Sequence, residues 1–526
     1  MVDLRRTAVV AGAAVLAVVA VALVAVSGPD AAGSRPAAAT LTKKTVAPPW
    51  TVTSSPDQGA GDNQLYGISC VSATTCFAVG SEAYGGGTEA LIEAFAGGSW
   101  SVVAAPALTD YSTLYGVSCT DATDCVAVGI DETGDGSEAL VETLSAGVWT
   151  VTSTPPTGPV GSILNGVSCT RAAGVISCNA VGYLDLSGQA QPLAMTSNAG
   201  VWNIDPIPPL SSVYGVLNAV SCTDATDCMA VGYDEVSGVT EALTESLTGA
   251  VWSVSTGSSP DSDSVLSGVS CISATDCVAV GDYVTETRIS QTLVESWDGA
   301  AWSVDTSPDP GSQGNLLSGV SCPSATDCVA GGSSTDGAGN QTLLQTWDGT
   351  TWSDTTSPDP GSTSDYLTAA SCPSIDSCQS VGASITGSGP AQTLVLSFQV
   401  PPPVITEVTF KGGSKHPKIT VTGTGFGTEP TGAATSCSTT GSDYPGTDLV
   451  FQDVTAGWSA GASGDCLGLV VSHYKATAVA FSFGSAYATG LPPVELVPSD
   501  IFTVSVDGAT CSGAVPTSGS VPCGAE

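Results

Sequence analysis

The sequence predicts an all-β protein whose repeat array is a seven-bladed β-propeller closed by an exchanged strand. Three observations predict it. Cysteines recur in pairs with a period near 50 residues, seven tryptophans recur out of step with those pairs, and short alternating apolar runs lie between. Composition agrees: of 526 residues, 62 are Gly and 32 are Pro, while charged residues make up only 11 %, which suits short strands and turns rather than long helices.

At the amino terminus, Arg5 and Arg6 precede an uninterrupted run of small or apolar residues, Thr7–Val26. A basic flank before an apolar stretch reads as a secretory signal over residues 1–27, with Ala25 and Ser27 as the small residues of a cleavage site. The same run is long enough to be kept as a membrane anchor, with the arginines on the cytoplasmic side. Either way the body of the chain is exported, to be secreted or held at the cell surface. Residues 28–47, rich in Gly, Ala, Pro and Thr, read as a flexible linker.

Residues 48–400 carry the repeat. The cysteines pair along the chain as Cys70/Cys76, Cys119/Cys125, Cys169/Cys178, Cys222/Cys228, Cys271/Cys277, Cys322/Cys328 and Cys372/Cys378, and successive first cysteines stand 49, 50, 53, 49, 51 and 50 residues apart. One unit reads as a strand Leu266–Cys271, a tight turn, a strand Cys277–Gly281, a polar loop, a strand Thr292–Trp297, an Asp298-Gly299 turn and a strand opening at Trp302. That makes four short strands, A to D, joined by hairpins. Each cysteine pair then bridges strands A and B across their own turn. A total of 18 cysteines suits an oxidised, exported chain, and the absence of His from the array argues against zinc.

Trp50, Trp100, Trp149, Trp202, Trp252, Trp302 and Trp352 open strand D. Trp50 precedes the first cysteine pair, and no Trp follows the last, where Thr393–Val400 runs straight into Pro401. The last unit lacks its own strand D, and the first residues of the array supply a spare one. An open solenoid has no reason for this offset. A closed ring does, because the exchanged strand removes both exposed edges. The tryptophans are read as packing residues between blades. Asp124, Asp227, Asp276 and Asp327, which recur before the second cysteine, are read as turn formers.

Ser-Trp-Asp-Gly-Ala-Ala-Trp at 296–302 and Thr-Trp-Asp-Gly-Thr-Thr-Trp at 346–352 resemble degenerate Asp-boxes of the sialidase-like (BNR) propellers, and the array is also similar to the photosystem-assembly-factor-like repeats. The Asp is missing from Ala94–Trp100, Thr143–Trp149 and Thr196–Trp202, so the resemblance implies a fold and not an activity. Beyond it, residues 401–526 open with Pro401–Phe410 and Lys418–Gly427, whose Gly-x-Gly-Phe-Gly ending resembles the start of an IPT/TIG domain. That resemblance implies an immunoglobulin-like β-sandwich over residues 401–526, used as a stalk or binding module. Four cysteines remain there; proximity favours Cys437–Cys466 and Cys511–Cys523 among three connectivities.

Charge bounds the function. Asp and Glu number 49 against 11 Lys and Arg, a formal charge of −38, which argues against nucleic acid and disfavours docking on anionic lipid. A sialidase grips its substrate carboxylate with several arginines, and residues 50–400 offer only Arg171 and Arg288 as basic groups. Both histidines, His416 and His473, lie in the carboxyl-terminal module, so a Ser-His-Asp relay is unavailable to the array. No catalytic residue and no cofactor is assigned. Asp131, Asp135 and Glu142 with Gly136 follow the spacing of a calcium-binding EF-hand loop, but Thr133 and the flanking strands favour an ordinary hairpin. Of the 37 acids in the array, 21 fall in the loops expected to share one face, among them Glu82, Glu89, Asp234, Asp282, Asp57, Asp309 and Asp359. The expected protein is an exported, monomeric, non-catalytic binding or scaffold protein whose acidic face takes an extracellular protein or glycan. The alternative is a carbohydrate-active hydrolase or lyase that uses paired carboxylates, with or without calcium.

Overall fold

The computed structural model describes residues 50–526 apart from residues 85, 107, 109–110, 134–135, 158–160, 187–188, 209, 211, 213, 257–262, 338, 428–448, 462–466, 485–486, 488–493 and 524–526. The run Thr7–Val26 lies outside these residues. Among the described residues there is no helix, and so none long and apolar enough to cross a membrane.

Residues 51–399 form seven four-stranded antiparallel sheets among the described residues, six of them taken from consecutive strands A to D. The first is Asn63–Ser72, Thr75–Tyr84, Gly87–Ala96 and Ser99–Val103. The seventh is composite: Ser364–Ser374, Ser377–Ile385 and Ala391–Gln399 are completed by Thr51–Thr53, in the register Thr51 to Ser397, Val52 to Leu396 and Thr53 to Val395. Strand B is apolar and buried on both faces, as in Cys76-Phe-Ala-Val-Gly80, because it lies inside its sheet and between neighbouring sheets.

The sheets are joined in a closed circuit. Strand A of each sheet packs on strand A of the next, and strand A of the seventh packs on that of the first. At every junction the backbone N–H of the first cysteine donates to a serine hydroxyl of the preceding strand A. Cys119 N–H donates to Ser69 at 3.0 Å, Cys271 to Ser221 at 2.9 Å, and Cys70 to Ser371 at 2.9 Å across the closure. Close approach explains the small residue that precedes this serine by two, Gly in five sheets and Ala219 and Ala369 in the other two. A Cβ on Gly67 would stand 2.8 Å from the Tyr115 carbonyl of the next sheet.

A small apolar cluster fills each seam, and each holds one strand-D tryptophan packed towards the preceding sheet. Trp149 joins Phe77 and Val79, Trp202 joins Val126 and Val128, and Trp50 joins Leu344, Leu367 and Leu394. The loop after strand D returns along strand C of its own sheet. Thr292 N–H donates to Asp309 Oδ1 and Thr342 N–H to Asp359 Oδ1, both at 2.7 Å; Thr393 N–H donates to Asp57 Oδ1 at 2.8 Å, so the composite sheet repeats the contact across the closure. The cysteine pairs Cys70–Cys76, Cys119–Cys125, Cys169–Cys178, Cys222–Cys228, Cys271–Cys277, Cys322–Cys328 and Cys372–Cys378 are disulfide-bonded across their A–B turns.

Beyond Pro401 the chain builds two further antiparallel sheets, of five and four strands. They enclose one core rich in aromatic rings, in which Phe451 stacks on Phe502 with centroids 5.8 Å apart. Cys511 and Cys523 are bonded, while Cys437 and Cys466 lie outside the described residues.

Candidate functional site

Every strand A carries a β-bulge at one equivalent position. The register slips between Leu65 and Gly67, leaving Tyr66 unpaired, and slips in the same way in the other six sheets. The residues so released are Tyr66, Tyr115, Asn165, Asn218, Ser267, Ser318 and Thr368. A bulge re-aims a side chain out of the pleat. Because the A strands pack on one another around the circuit, these seven residues form a belt at its centre. Part of the belt ties sheets together. Asn165 Nδ2 donates to the Leu217 carbonyl at 2.9 Å, Asn218 Nδ2 to the Leu266 carbonyl at 2.8 Å, and Thr368 Oγ1 to the Leu65 carbonyl at 2.8 Å.

The belt's two tyrosines belong to a longer arc. Tyr366 neighbours Tyr66, whose ring lies 5.5 Å from that of Tyr115; Tyr115 neighbours Tyr183, Tyr183 neighbours Tyr214, and Tyr214 stacks on Tyr233 at 6.2 Å. All six rings are half-buried. Burial, reinforced by neighbouring tyrosines and acids, pushes the hydroxyls of Tyr115, Tyr183 and Tyr366 up to about 12, and raises those of Tyr66 and Tyr233 as well. They stay neutral at physiological pH and keep their protons for donation. Asp62, Glu132, Asp185 and Glu235 are the acids whose charges they feel.

The acids expected in loops are placed differently. Strands B and C run further than their apolar cores, because hairpin pairing continues once the sheet leaves the packed seam. Glu82, Glu89, Asp131, Glu132, Glu138, Asp185, Asp234, Glu235, Glu241 and Asp282 therefore lie on strands rather than in B–C loops. Three pairs face each other directly across strands B and C: Glu82 and Glu89, Asp131 and Glu138, Asp234 and Glu241. Burial and the adjacent Glu89 raise the Glu82 carboxyl, burial lifts Asp282 to about 6, and Asp234 is raised by burial against the pull of Ser212. Several D–A acids serve the backbone instead: besides Asp57, Asp309 and Asp359, Asp62 accepts from Ala391 N–H at 2.7 Å.

The residues with EF-hand spacing are not gathered together. Asp131 stands opposite Glu138, whereas Glu142 sits four residues further along strand C, about 13 Å away at strand spacing. Asp135 lies outside the described residues. Among the described residues no group of three His, Cys, Asp or Glu side chains is arranged to hold a metal ion.

Glu142 belongs to another set that sequence reasoning missed. Glu93, Glu142, Glu245 and Glu295 occupy one strand-C position in four sheets, each facing an alanine of strand B and each fully buried. Gln345 holds that position in the sixth sheet, and its Nε2 donates to the Pro308 carbonyl of the preceding D–A loop at 2.6 Å. Glu93 reaches the matching loop, accepting from the Ser55 hydroxyl at 2.5 Å. Among the described residues, neither carboxylate oxygen of Glu142 or Glu245 has a hydrogen-bond partner. Burial pushes Glu142 up to about 8 and Glu93 and Glu245 up to about 7, with the Ser55 hydroxyl partly offsetting the rise at Glu93.

Neither a family model nor a curated protein matches the sequence. Solved structures are similar in chain path. A structure of YCF48 bound to D1 peptide matches at 12 % identity and a TM-score of 0.40, covering 68 % of this chain and 98 % of that one. YCF48 from Cyanidioschyzon merolae matches at 14 % identity and a TM-score of 0.41, covering 67 % and 99 %. The GH74 xyloglucanase from Xanthomonas campestris matches at 11 % identity and a TM-score of 0.41, covering 72 % of this chain and 60 % of the enzyme. The chain is all-β, and these neighbours are propeller-type proteins. Likeness at this level transfers no activity.

The tyrosine arc had a signal in the sequence that went unread. Tyr66 and Tyr115 stand in the same Leu-Tyr-Gly triplet of strand A, and Tyr183 and Tyr233 in the same Val-Gly-Tyr triplet of strand B. Recurrence at fixed repeat positions, outside the apolar alternation, marks residues that the packing does not need.

Proposed function

We propose that the protein is an exported binding scaffold: a seven-bladed propeller over residues 48–400 joined to an IPT/TIG-like immunoglobulin-fold module over residues 401–526. It is secreted, or held at the cell surface by Thr7–Val26, and it works as a monomer without catalysis. Disulfides in each of the seven sheets are consistent with an oxidising, extracellular setting. The observation that carries the binding role is the tyrosine arc, six half-buried rings at one centre. Half-buried aromatic rings with polar tips are common anchors of protein interfaces.

The test is a binding screen of the purified ectodomain against extracellular proteins and glycans, with and without a calcium chelator, in which every glycan hit is also assayed for cleavage. A ligand bound without turnover, and indifferent to chelation, is expected; cleavage of a bound glycan would overturn the scaffold reading. One observation favours a carboxylate-dependent hydrolase as the second reading. Glu82 and Glu89 line a cavity of about 280 Å³ between the first and second sheets, and Glu82 has the raised carboxyl that a general acid requires. Under that reading Glu82→Gln abolishes turnover while ligand binding persists.

A further inference from the structure

We infer that a cavity between the sixth and seventh sheets binds a small quaternary ammonium compound. It lies at the A–B and C–D turns and is lined by no tyrosine, so it stands apart from the arc and from the scaffold reading. A volume of about 250 Å³ brings together three aromatic rings, Trp50, Trp347 and Phe398, and two carboxylates, Asp327 and Asp348. Sites that take drug-sized ligands span roughly 300–1,000 Å³, so the occupant here is smaller.

The composite sheet makes this place unlike the other seams. Its strand C ends at Gln399 and its strand D is Thr51–Thr53, so no C–D turn joins the two. Trp50 and Phe398 meet there with ring centroids 5.7 Å apart. Across the seam the Trp347 ring is fixed by its Nε1, which donates to the Ala325 carbonyl at 3.2 Å. The A–B turn also departs from its counterparts. Ala73, Ala122, Ala225, Ala274 and Ala325 stand three residues after the first cysteine, whereas the seventh sheet has Ile375. Ile375 is 41 % exposed and lines the cavity, so its added bulk builds a wall there rather than a core.

The chemistry of the lining selects the ligand. Thr346 and Thr355 hydroxyls bond each other at 3.2 Å, and among the described residues the cavity is lined by no Asn, Gln, His, Lys or Arg. Asp348 accepts from Thr350 and Thr351 N–H through Oδ1, and Asp327 accepts from the Ser324 and Thr326 hydroxyls through Oδ2. Each carboxylate thus keeps a second oxygen for a ligand. Bonds from the Thr350 hydroxyl and the two turn amides hold the Asp348 carboxyl below its ordinary value, so it stays charged. The polar groups on offer are therefore anionic acceptors beside aromatic rings. A sugar needs donors as well as acceptors, and an anion would be repelled. An organic cation is drawn to ring faces and to carboxylates alike. A primary ammonium is a compact, strongly hydrated charge, whereas a quaternary one presents methyl groups to apolar walls.

The experiment is calorimetric titration of the full exported chain with choline, against phosphocholine, butylamine, glucose and dimethylbutanol, the neutral isostere with carbon in place of the quaternary nitrogen. Choline is expected to bind about tenfold more tightly than the isostere, and to weaken as salt rises from about 50 to about 300 mM. Phosphocholine should bind less well than choline, because its phosphate would stand near the two carboxylates. Trp347→Ala should lose about tenfold, while Trp347→Phe, which keeps a ring face, should lose much less. Since a half-buried tryptophan also serves folding, Ile375→Lys is the second variant: at an exposed turn position it spares the fold, and its ammonium should repel choline by about tenfold. Unfolding curves on each variant separate lost binding from lost structure. The inference is overturned if choline binds no better than its isostere, or if Ile375→Lys binds it as the parent does. It is also overturned if glucose, butylamine or phosphocholine is preferred, which would assign the cavity to a glycan, a lysine side chain or a lipid headgroup. Any of these outcomes leaves the scaffold reading intact, because that reading falls only to turnover in the screen above.

Discussion

The repeat array and the carboxyl-terminal module solve the same problem with different cores. The module encloses one core between two sheets, where Phe410, Phe451, Phe481, Phe483, Phe502 and Trp458 interlock. The array has no such centre. Its apolar material is divided among seven seams, each filled by residues of two neighbouring sheets and one tryptophan. Stability in the array is therefore a sum of nearest-neighbour terms that must close on itself, whereas the module stands or falls as a unit. The difference also leaves the centre of the circuit available for polar and aromatic residues that no core requires.

The largest effect should come from removing one core residue on each side of that comparison. Trp50→Ala empties the seam between the sixth and the composite seventh sheet and is expected to cost the array about 3–5 kcal/mol, while Phe451→Ala should cost the module a similar amount. Urea unfolding followed by a probe in each region reads this. If Trp50→Ala leaves the array's transition where it was, the seam that the composite sheet makes with the sixth is not part of a single cooperative circuit.

A smaller effect sharpens the contrast through pH. The buried Glu142 has its carboxyl raised to about 8 in the folded protein, above the ordinary value near 4.5. Below pH 4.5 it is protonated in both states, and its full share of stability is present. As pH climbs from there to about 8, the unfolded chain ionises while the folded one does not, and stability falls. Glu93 and Glu245 add the same trend up to about pH 7. Glu142→Gln should therefore raise stability at pH 8 by on the order of 2 kcal/mol and change little at pH 4. Thermal melts of both proteins across that range would expose an error, since equal gains at both ends would mean that the substitution merely improves packing.

The smallest effect tests whether the closing junction is equivalent to the others. Ser371→Ala removes the hydroxyl that accepts from Cys70 N–H, and Ser221→Ala removes its counterpart at an internal junction. Each should cost about 1 kcal/mol, with an added penalty if the freed N–H stays dry. Costs that differ widely between the two would show that the circuit is not uniform.

Much of the architecture was legible because repetition makes it so. A disulfide hairpin and a strand-opening tryptophan are local patterns, and recurrence at a near-constant interval displays them seven times. Even the long-range pairing of Thr51–Thr53 with Ala391–Gln399 follows from counting, since one tryptophan too many at the front and one too few at the back define a composite sheet. The site was far less legible. Acids assigned to loops lie on strands, because polarity alone does not say where hairpin pairing stops. Glu142, grouped in sequence with Asp131 as a calcium-loop candidate, is carried into a seam by the register of strand C.

By itself, then, the sequence determined the all-β character, the sheet-forming repeat, the hairpin disulfides and the poverty of basic groups, because each depends on composition or on neighbours a few residues apart. Tertiary structure alone decided which side chains meet at the centre. Tyr366 comes to lie beside Tyr66 only because the circuit closes, and Tyr66 leaves its strand only because a bulge skips it. Residues 300 apart in the chain share a surface there, and neither periodicity nor spacing can report contacts made by closure.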